Sequence, residues 1–307
     1  MSGNRTRASG IVLGAIVAIS LSSATAAESK RVLKVMTRNM GAGTDLNLIF
    51  YYLPDIPKGV SATLQQVIST DIPARLADEI RNSQPDFIGL QEVTEWRTGA
   101  CGSTAVLYDQ LQLLLDALAA RHMSYTPLSI QAFEPIEAPM LAAGQCLRFT
   151  DRNALLVRTD LRPTGIVVSH VQTSRFDHFL DLSALGLPNT YHGYISADIK
   201  AGSDTFRLVT THLESTYAFD PQGNLQVAQA GELLAALQET TLPVLLMGDF
   251  NSNAEIGPSR RQRLEWSWEQ ASRTFGANSM LRVTASLGPS ITRTLLPVQP
   301  SRTSVST

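Results

Sequence analysis

The amino-acid sequence predicts a layered α/β (α+β) fold in which strands alternate with surface helices. Three observations predict it. Short apolar runs of strand type, such as Asp86–Leu90 and Leu242–Met247, alternate with segments whose apolar residues recur at helical spacing. Several further strand-type runs follow one another between 153 and 212, each bounded by turn residues. The chain of 307 residues is 44% hydrophobic and only 17% charged, a composition that buries a substantial core. No repeat of fixed period interrupts this pattern.

Taken in order, the chain opens with a segment of leader type. Arg5 and Arg7 precede an apolar stretch from Ile11 to Leu21, and Ala24-Thr25-Ala26 supplies the small residues of a cleavage point. Residues 1–26 are therefore expected to be a signal peptide and the protein to be secreted or periplasmic. The alternative is a membrane anchor, but the apolar stretch is shorter than the ~20 residues a span requires. No later segment has that length and apolarity, so no stable membrane span is expected after cleavage. In an oxidising compartment Cys101 and Cys146, the only cysteines, are a candidate disulfide, with two unpaired thiols as the alternative.

Val32–Thr37 reads as a strand leading into the Gly-rich loop Arg38–Asp45. Ser61 is a possible cap for a first helix, with a specificity loop expected from Phe50 to Ser61. Ile72–Ile80 shows helical spacing that stops near Asn82 and Pro85, and Asp86–Leu90 is a buried strand ending in Gln91-Glu92. Ala105–Arg121 is predicted as a helix with Leu107, Leu111, Leu114, Leu115 and Leu118 on a core-facing stripe. Tyr125–Gly144 reads as a second loop. Strands follow at Asn153–Arg158, Gly165–Val171, Tyr191–Ile199 and Phe206–His212, then a helix over Gln222–Leu237 and a strand over Leu242–Met247. After Pro258 strand patterning stops, and Arg260-Arg261-Gln262-Arg263 opens a tail rich in Ser, Thr and Pro.

Polar residues stand at the ends of the buried strands: Asn39, Glu92, His212, Asp249 and Asn251. Strand ends open onto clefts in layered folds, so such groups can converge although distant in sequence. Asp249 and Asn251 could alternatively only close an Asx turn, and His212 could be a buried histidine bonded to backbone. The formal net charge of −2 leaves no broad basic field for nonspecific nucleic-acid binding. The sequence offers neither a GxSxG elbow nor a GxxxxGK[ST] phosphate loop.

Five segments, in order, resemble the endonuclease/exonuclease/phosphatase (DNase I-like) superfamily, which includes nucleases, neutral sphingomyelinases and inositol phosphatases. They are Leu33–Asn39, Pro85–Val93, Asp151–Leu156, Thr210–Glu214 and Gly248–Asn251. The resemblance implies a DNase I-like four-layer sandwich over residues 31–258, two packed mixed β-sheets flanked by helices, and Mg²⁺-dependent phosphoester hydrolysis, with Mn²⁺ as a possible substitute. It implies that Glu92 ligates the metal, with Asn39 beside it as ligand or hydrogen-bond partner. His212 would donate a proton or hydrogen bond to the phosphate, Asp249 would orient the attacking water, and Asn251 and Asn153 would bind substrate. The substrate implied is a phosphodiester in a phospholipid, a nucleic acid or a small molecule, and the protein is expected to be a monomer.

The superfamily pattern also carries a terminal Asp-His pair and another Asp a few strands earlier. Here no Asp follows Asp249 and no His follows His212. Residues 259–307 are accordingly expected to be an atypical tail, disordered or frameshifted, with the C-terminal strands missing. The expected outcome is a formed metal-ligand half-site with impaired turnover. The reading from a different class is a non-catalytic binding protein, or an inert truncated product, on the same fold.

Overall fold

The computed structural model describes residues 33–45, 48–52, 54–159, 165–183, 188–215 and 223–251, with two short backbone strands at 282–287 and 291–292. The leader assignment lies outside the described residues. Among them, no helix is long and apolar enough to cross a membrane.

Two sheets form the centre. The first has the order β1 (Val35–Asn39), β2 (Phe87–Gln91), β8 (Arg152–Arg158), β5 (Tyr125–Ala132). Its β1–β2 pair is parallel and its other pairs antiparallel. The second sheet contains β9 (Ile166–Arg175), β10 (Gly193–Ala201), β11 (Asp204–His212) and β12 (Val244–Asp249), neighbours in that order. Here β11 and β12 are parallel while β9, β10 and β11 are antiparallel. Both sheets are mixed, as the resemblance implies.

Strand side chains alternate between two apolar layers. Phe87, Leu155, Ile195, Leu208 and Met247 fill the space between the sheets. Ile88, Leu90 and Leu156 face outward against α3 (Ile72–Ser83) and α4 (Gln110–Ala119), which contribute Leu76, Ile80, Leu114 and Leu118. On the other side Val209 and Leu246 meet Leu233 and Leu237 of α5 (Asn224–Leu237). The layers are thus helix, sheet, sheet, helix. The sheets come into close contact at Gly89, where a Cβ would stand 2.3 Å from Thr210 Oγ1 and 2.8 Å from Met247 Cε. A buried polar chain crosses beside it: Thr37 Oγ1 donates to Gln91 Oε1 at 3.3 Å, and Gln91 Nε2 donates to Thr210 Oγ1 at 2.9 Å.

Three expectations change. The helix expected over Ala105–Arg121 is a strand, β4 (Ser103–Asp109), followed by α4. Asp109 ends the strand and caps the helix, its carboxylate accepting from the N–H groups of Leu111 and Gln112. Leu107 is consequently exposed, whereas Leu111, Leu114 and Leu118 are buried. The two segments expected as loops are structured as well. One holds α1 (Leu48–Tyr51) and α2 (Ile56–Ser69), capped by Asp55 rather than Ser61; the other holds β5 and β6 (Ile136–Pro139).

A third sheet, absent from the sequence reading, has the order β4, β3 (Glu95–Ala100), β7 (Gln145–Thr150), β6 and is wholly antiparallel. Trp96 and Leu147 from it pack under Val60, Leu64 and Val67 of α2. A Cys101–Cys146 disulfide, with Cα atoms 4.8 Å apart, ties its β3–β4 turn to β7. The tail also differs from expectation: β13 (Arg282–Leu287) pairs parallel to β12, and β14 (Ile291–Thr292) pairs antiparallel to β13. The alternation of Val283, Ala285 and Leu287 with Thr284 and Ser286 is the strand signal, too short and isolated to stand out among the polar residues around it.

Candidate active site

Six strand termini meet at one edge of the facing sheets. Strands β1, β2, β11 and β12 all end there, because each sheet runs its two as parallel neighbours. Antiparallel β8 and β10 begin there. The residues at or just beyond these termini are Asn39, Glu92, His212, Asp249, Asp151 and His192.

Asn39 joins the two sheets. Its Nδ2 donates to Glu92 Oε1 at 2.7 Å and to Asp249 Oδ2 at 2.8 Å, while its Oδ1 accepts from Gly41 N–H at 2.6 Å. Asp249 Oδ1 accepts from Asn251 N–H at 2.8 Å, an Asx turn that holds Asn251 at φ 47°. Asn251 Nδ2 donates to Leu213 O at 2.7 Å and lies 3.1 Å from His212 Nε2, which in turn is 3.8 Å from Glu92 Oε1. Gly248 makes this possible: its φ is 148°, and a Cβ there would lie 2.1 Å from Thr211 O. Asn39, Glu92, His212, Asp249 and Asn251 therefore form one connected group.

Asn153 stands apart from that group. It is buried in β8, with Nδ2 3.3 Å from Gln131 Oε1 and 3.5 Å from Gly193 O. Gly193 is the register partner of His212, so Asn153 reaches the site through backbone.

Three residues to which the sequence reading gave no role complete the edge. Asp151 and His192 lie beside His212, one potential ligand atom from each of the three falling within 4.8 Å of the others. Glu214 is buried, and its Oε1 is 3.2 Å from His192 Nε2. Asp151 and Glu214 sit inside segments already prominent in the sequence. His192 gave no such signal, since it lies within the strand predicted over Tyr191–Ile199, and its position just before β10 follows from that strand's antiparallel register.

Burial and crowded charge distort the ionisation of this edge. Burial pushes Glu92 up to about 7, helped by the negative charges of Asp151 and Asp249 and opposed by the Asn39 hydrogen bond. Burial likewise raises Asp151 to about 6, against the pull of His192 and Arg152. Burial and the neighbouring His192 lower His212 to about 3, so it is neutral near pH 7. His192 moves the other way, because the Glu214 carboxylate overcomes the cost of burial. A buried carboxylate raised by neighbouring negative charge, as Glu92 is, is what a divalent cation would relieve. Glu92 and Asp249 supply hard oxygen donors, and these suit Mg²⁺ or Mn²⁺. The residues present fit such an ion.

The chain belongs to the endonuclease/exonuclease/phosphatase family, whose model matches residues 71–293. The fold is that family's DNase I-like sandwich. The match starts beyond β1 and runs past residue 258 through β13. Among solved structures the chain is similar to truncated Caenorhabditis elegans TDP2, at 18% identity and a TM-score of 0.34, covering 61% of this chain and 57% of that one. It is similar to the human Nocturnin catalytic domain with bound sulfate, at 17% identity and a TM-score of 0.36, covering 64% and 61% respectively. A β-hairpin deletion mutant of beta toxin from Staphylococcus aureus aligns at 11% identity and a TM-score of 0.39, over 81% of this chain and 75% of that one. The alignments thus span about three fifths of the length of the first two proteins. No curated protein matches the chain.

Proposed function

We propose that this protein is a Mg²⁺-dependent phosphoester hydrolase, with Mn²⁺ able to substitute, acting on a phosphodiester in a phospholipid, a nucleic acid or a small molecule. The observation that carries the reading is the single amide of Asn39, which draws Glu92 from one sheet and Asp249 from the other into the same pocket. A bound divalent cation would neutralise phosphoryl charge and make water a better nucleophile. Glu92 would hold it. Asn39 sets the direction of the Glu92 carboxylate.

Asp249, anchored through both oxygens, is positioned to orient the attacking water and accept its proton. His212 is neutral, so it serves as a hydrogen-bond donor to a phosphoryl oxygen rather than as a source of a full proton. Asn251, whose Nδ2 stands 3.1 Å from His212 Nε2, can turn that amide to the substrate. Asn153, whose Nδ2 makes two long contacts among the described residues, would contribute to substrate binding from beside that group. The disulfide and the leader-type N-terminus support a secreted or periplasmic location.

The test is hydrolysis of sphingomyelin, DNA and a generic aryl phosphodiester by the purified chain, with and without Mg²⁺, beside Glu92→Gln. Metal-dependent cleavage of at least one substrate, reduced ~100-fold or more in the variant, is expected. Mg²⁺ binding without cleavage of any of them would favour the non-catalytic reading.

A further inference from the structure

The group formed by Asp151, His192 and His212 differs in chemistry from the oxygen-lined pocket of Glu92 and Asp249. Its donors are one carboxylate and two imidazoles, each residue offering an atom within 4.8 Å of the others. They come from three strand termini: Asp151 before β8, His192 before β10 and His212 at the end of β11. Both histidines are buried, and their rings lie 4.3 Å apart at 58°.

The ring nitrogens are unequally used. His192 Nε2 lies against the buried carboxylate of Glu214, which leaves its Nδ1 with the lone pair when Nε2–H donates. His212 Nε2 faces Asn251 and Glu92. The Nδ1 atoms of both rings are buried and have no hydrogen-bond partner among the described residues. A buried polar atom without a partner costs about 1–3 kcal/mol. Here two such atoms belong to adjacent rings beside a carboxylate. A carboxylate accepting from one imidazole nitrogen while the other stays open is the arrangement that orients metal-binding histidines.

We propose that Asp151, His192 and His212 form a second metal site, which takes a first-row transition cation of the Zn²⁺ or Co²⁺ type in preference to Mg²⁺. Imidazole nitrogen suits these ions, whereas Mg²⁺ is held by oxygen. One nitrogen of each ring and one Asp151 oxygen are the donors, and the partnerless Nδ1 atoms are the nitrogens left open for this. Three protein ligands leave a coordination position for water or substrate. Glu214 is the positioning residue, acting through His192. The proposal rests on the donor set and is independent of whether the oxygen-lined pocket supports turnover.

The experiment is a titration of the metal-free full chain with Co²⁺, followed by its visible absorption, and with Zn²⁺, followed by calorimetry. Co²⁺ is expected to bind at one equivalent with nitrogen ligation, and to be displaced by Zn²⁺ but not by excess Mg²⁺. His192→Ala and Asp151→Asn should each weaken Zn²⁺ binding by at least ~10–100-fold. Glu92→Gln should abolish Mg²⁺ binding and leave Zn²⁺ binding within about threefold, which separates failure of this site from failure of the first. The proposal is overturned if folded His192→Ala binds Zn²⁺ as tightly as the wild type, or if Glu92→Gln alone removes Zn²⁺. Should the variants not fold, an oxygen-only Co²⁺ spectrum in the wild type overturns it equally.

Discussion

In the facing sheets, β2 is buried along its whole length, and β8 and β11 along most of theirs. In the small third sheet, β4 exposes Val106 and Leu107, and β3 runs out to an exposed Ala100. The first region has apolar layers on both faces and glycines where no side chain fits. The third sheet has one covering helix, α2, and a covalent tie between Cys101 and Cys146. Packing therefore locates the strand termini that carry the polar edge, while a cross-link restrains the sheet beside them. If that division is correct, damage to the first region should disturb the site, and damage to the second should lower stability without moving it.

The largest effect is expected from Gly248→Ala. The added Cβ meets Thr211 O and the backbone is already at a conformation that suits glycine. A loss of about 4 kcal/mol or more is expected in urea unfolding, with loss of Mg²⁺ binding, because Asp249 pairs in register with His212 here. A change below ~1 kcal/mol would show that the site edge is not held by this close approach.

Removing the disulfide with Cys101→Ser and Cys146→Ser should cost about 3–4 kcal/mol, given a sequence separation of 45 residues. Hydrogen exchange should accelerate first in β3 and β7, with Mg²⁺ affinity unchanged. An altered Mg²⁺ affinity would break the comparison.

The smallest effect lies at the junction of the two regions, where Asp109 pairs with Arg152 at 2.5 Å and caps α4. Burial tends to raise the Asp109 carboxyl, but the Arg152 hydrogen bond and charge and the helix N–H groups prevail, holding it below its ordinary 3.8. A carboxyl depressed in the folded state contributes stability that is present above the unfolded value and lost as pH falls through the folded one. Asp109→Asn should therefore cost about 1–3 kcal/mol near neutral pH. The gap from the wild type should close as acid unfolding is followed below pH 3.8. A gap constant to lower pH would mean that the ion pair contributes nothing.

Much of this was legible in the residues. Phe87-Ile88-Gly89-Leu90 and Val244-Leu245-Leu246-Met247 announce strands buried on both faces, and Ile72–Ile80 announces a helix. Asn39, Glu92, His212, Asp249 and Asn251 announced themselves as polar groups closing apolar runs. The third sheet was hidden because Thr104-Ala105-Val106-Leu107 continues into Leu111 and Leu114, so one apolar series spans a strand and a helix. Only the cap at Asp109 divides it. His192 was hidden for another reason: a histidine within a predicted strand is ordinary until pairing sets it against His212 and Glu214.

Local sequence determined the buried strands, most of the helices, and the polar residues that end those strands, since alternation and helical spacing act within a few residues of each other. It also determined the two cysteines available for pairing. Tertiary structure alone decided which termini share an edge, because strand direction and register are set by contacts between segments far apart in the chain, such as Asn39 and Asp249, 210 positions apart. The pocket's raised carboxyls and its pair of buried imidazoles follow from that convergence, since charges perturb one another only when packing brings them within a few ångströms.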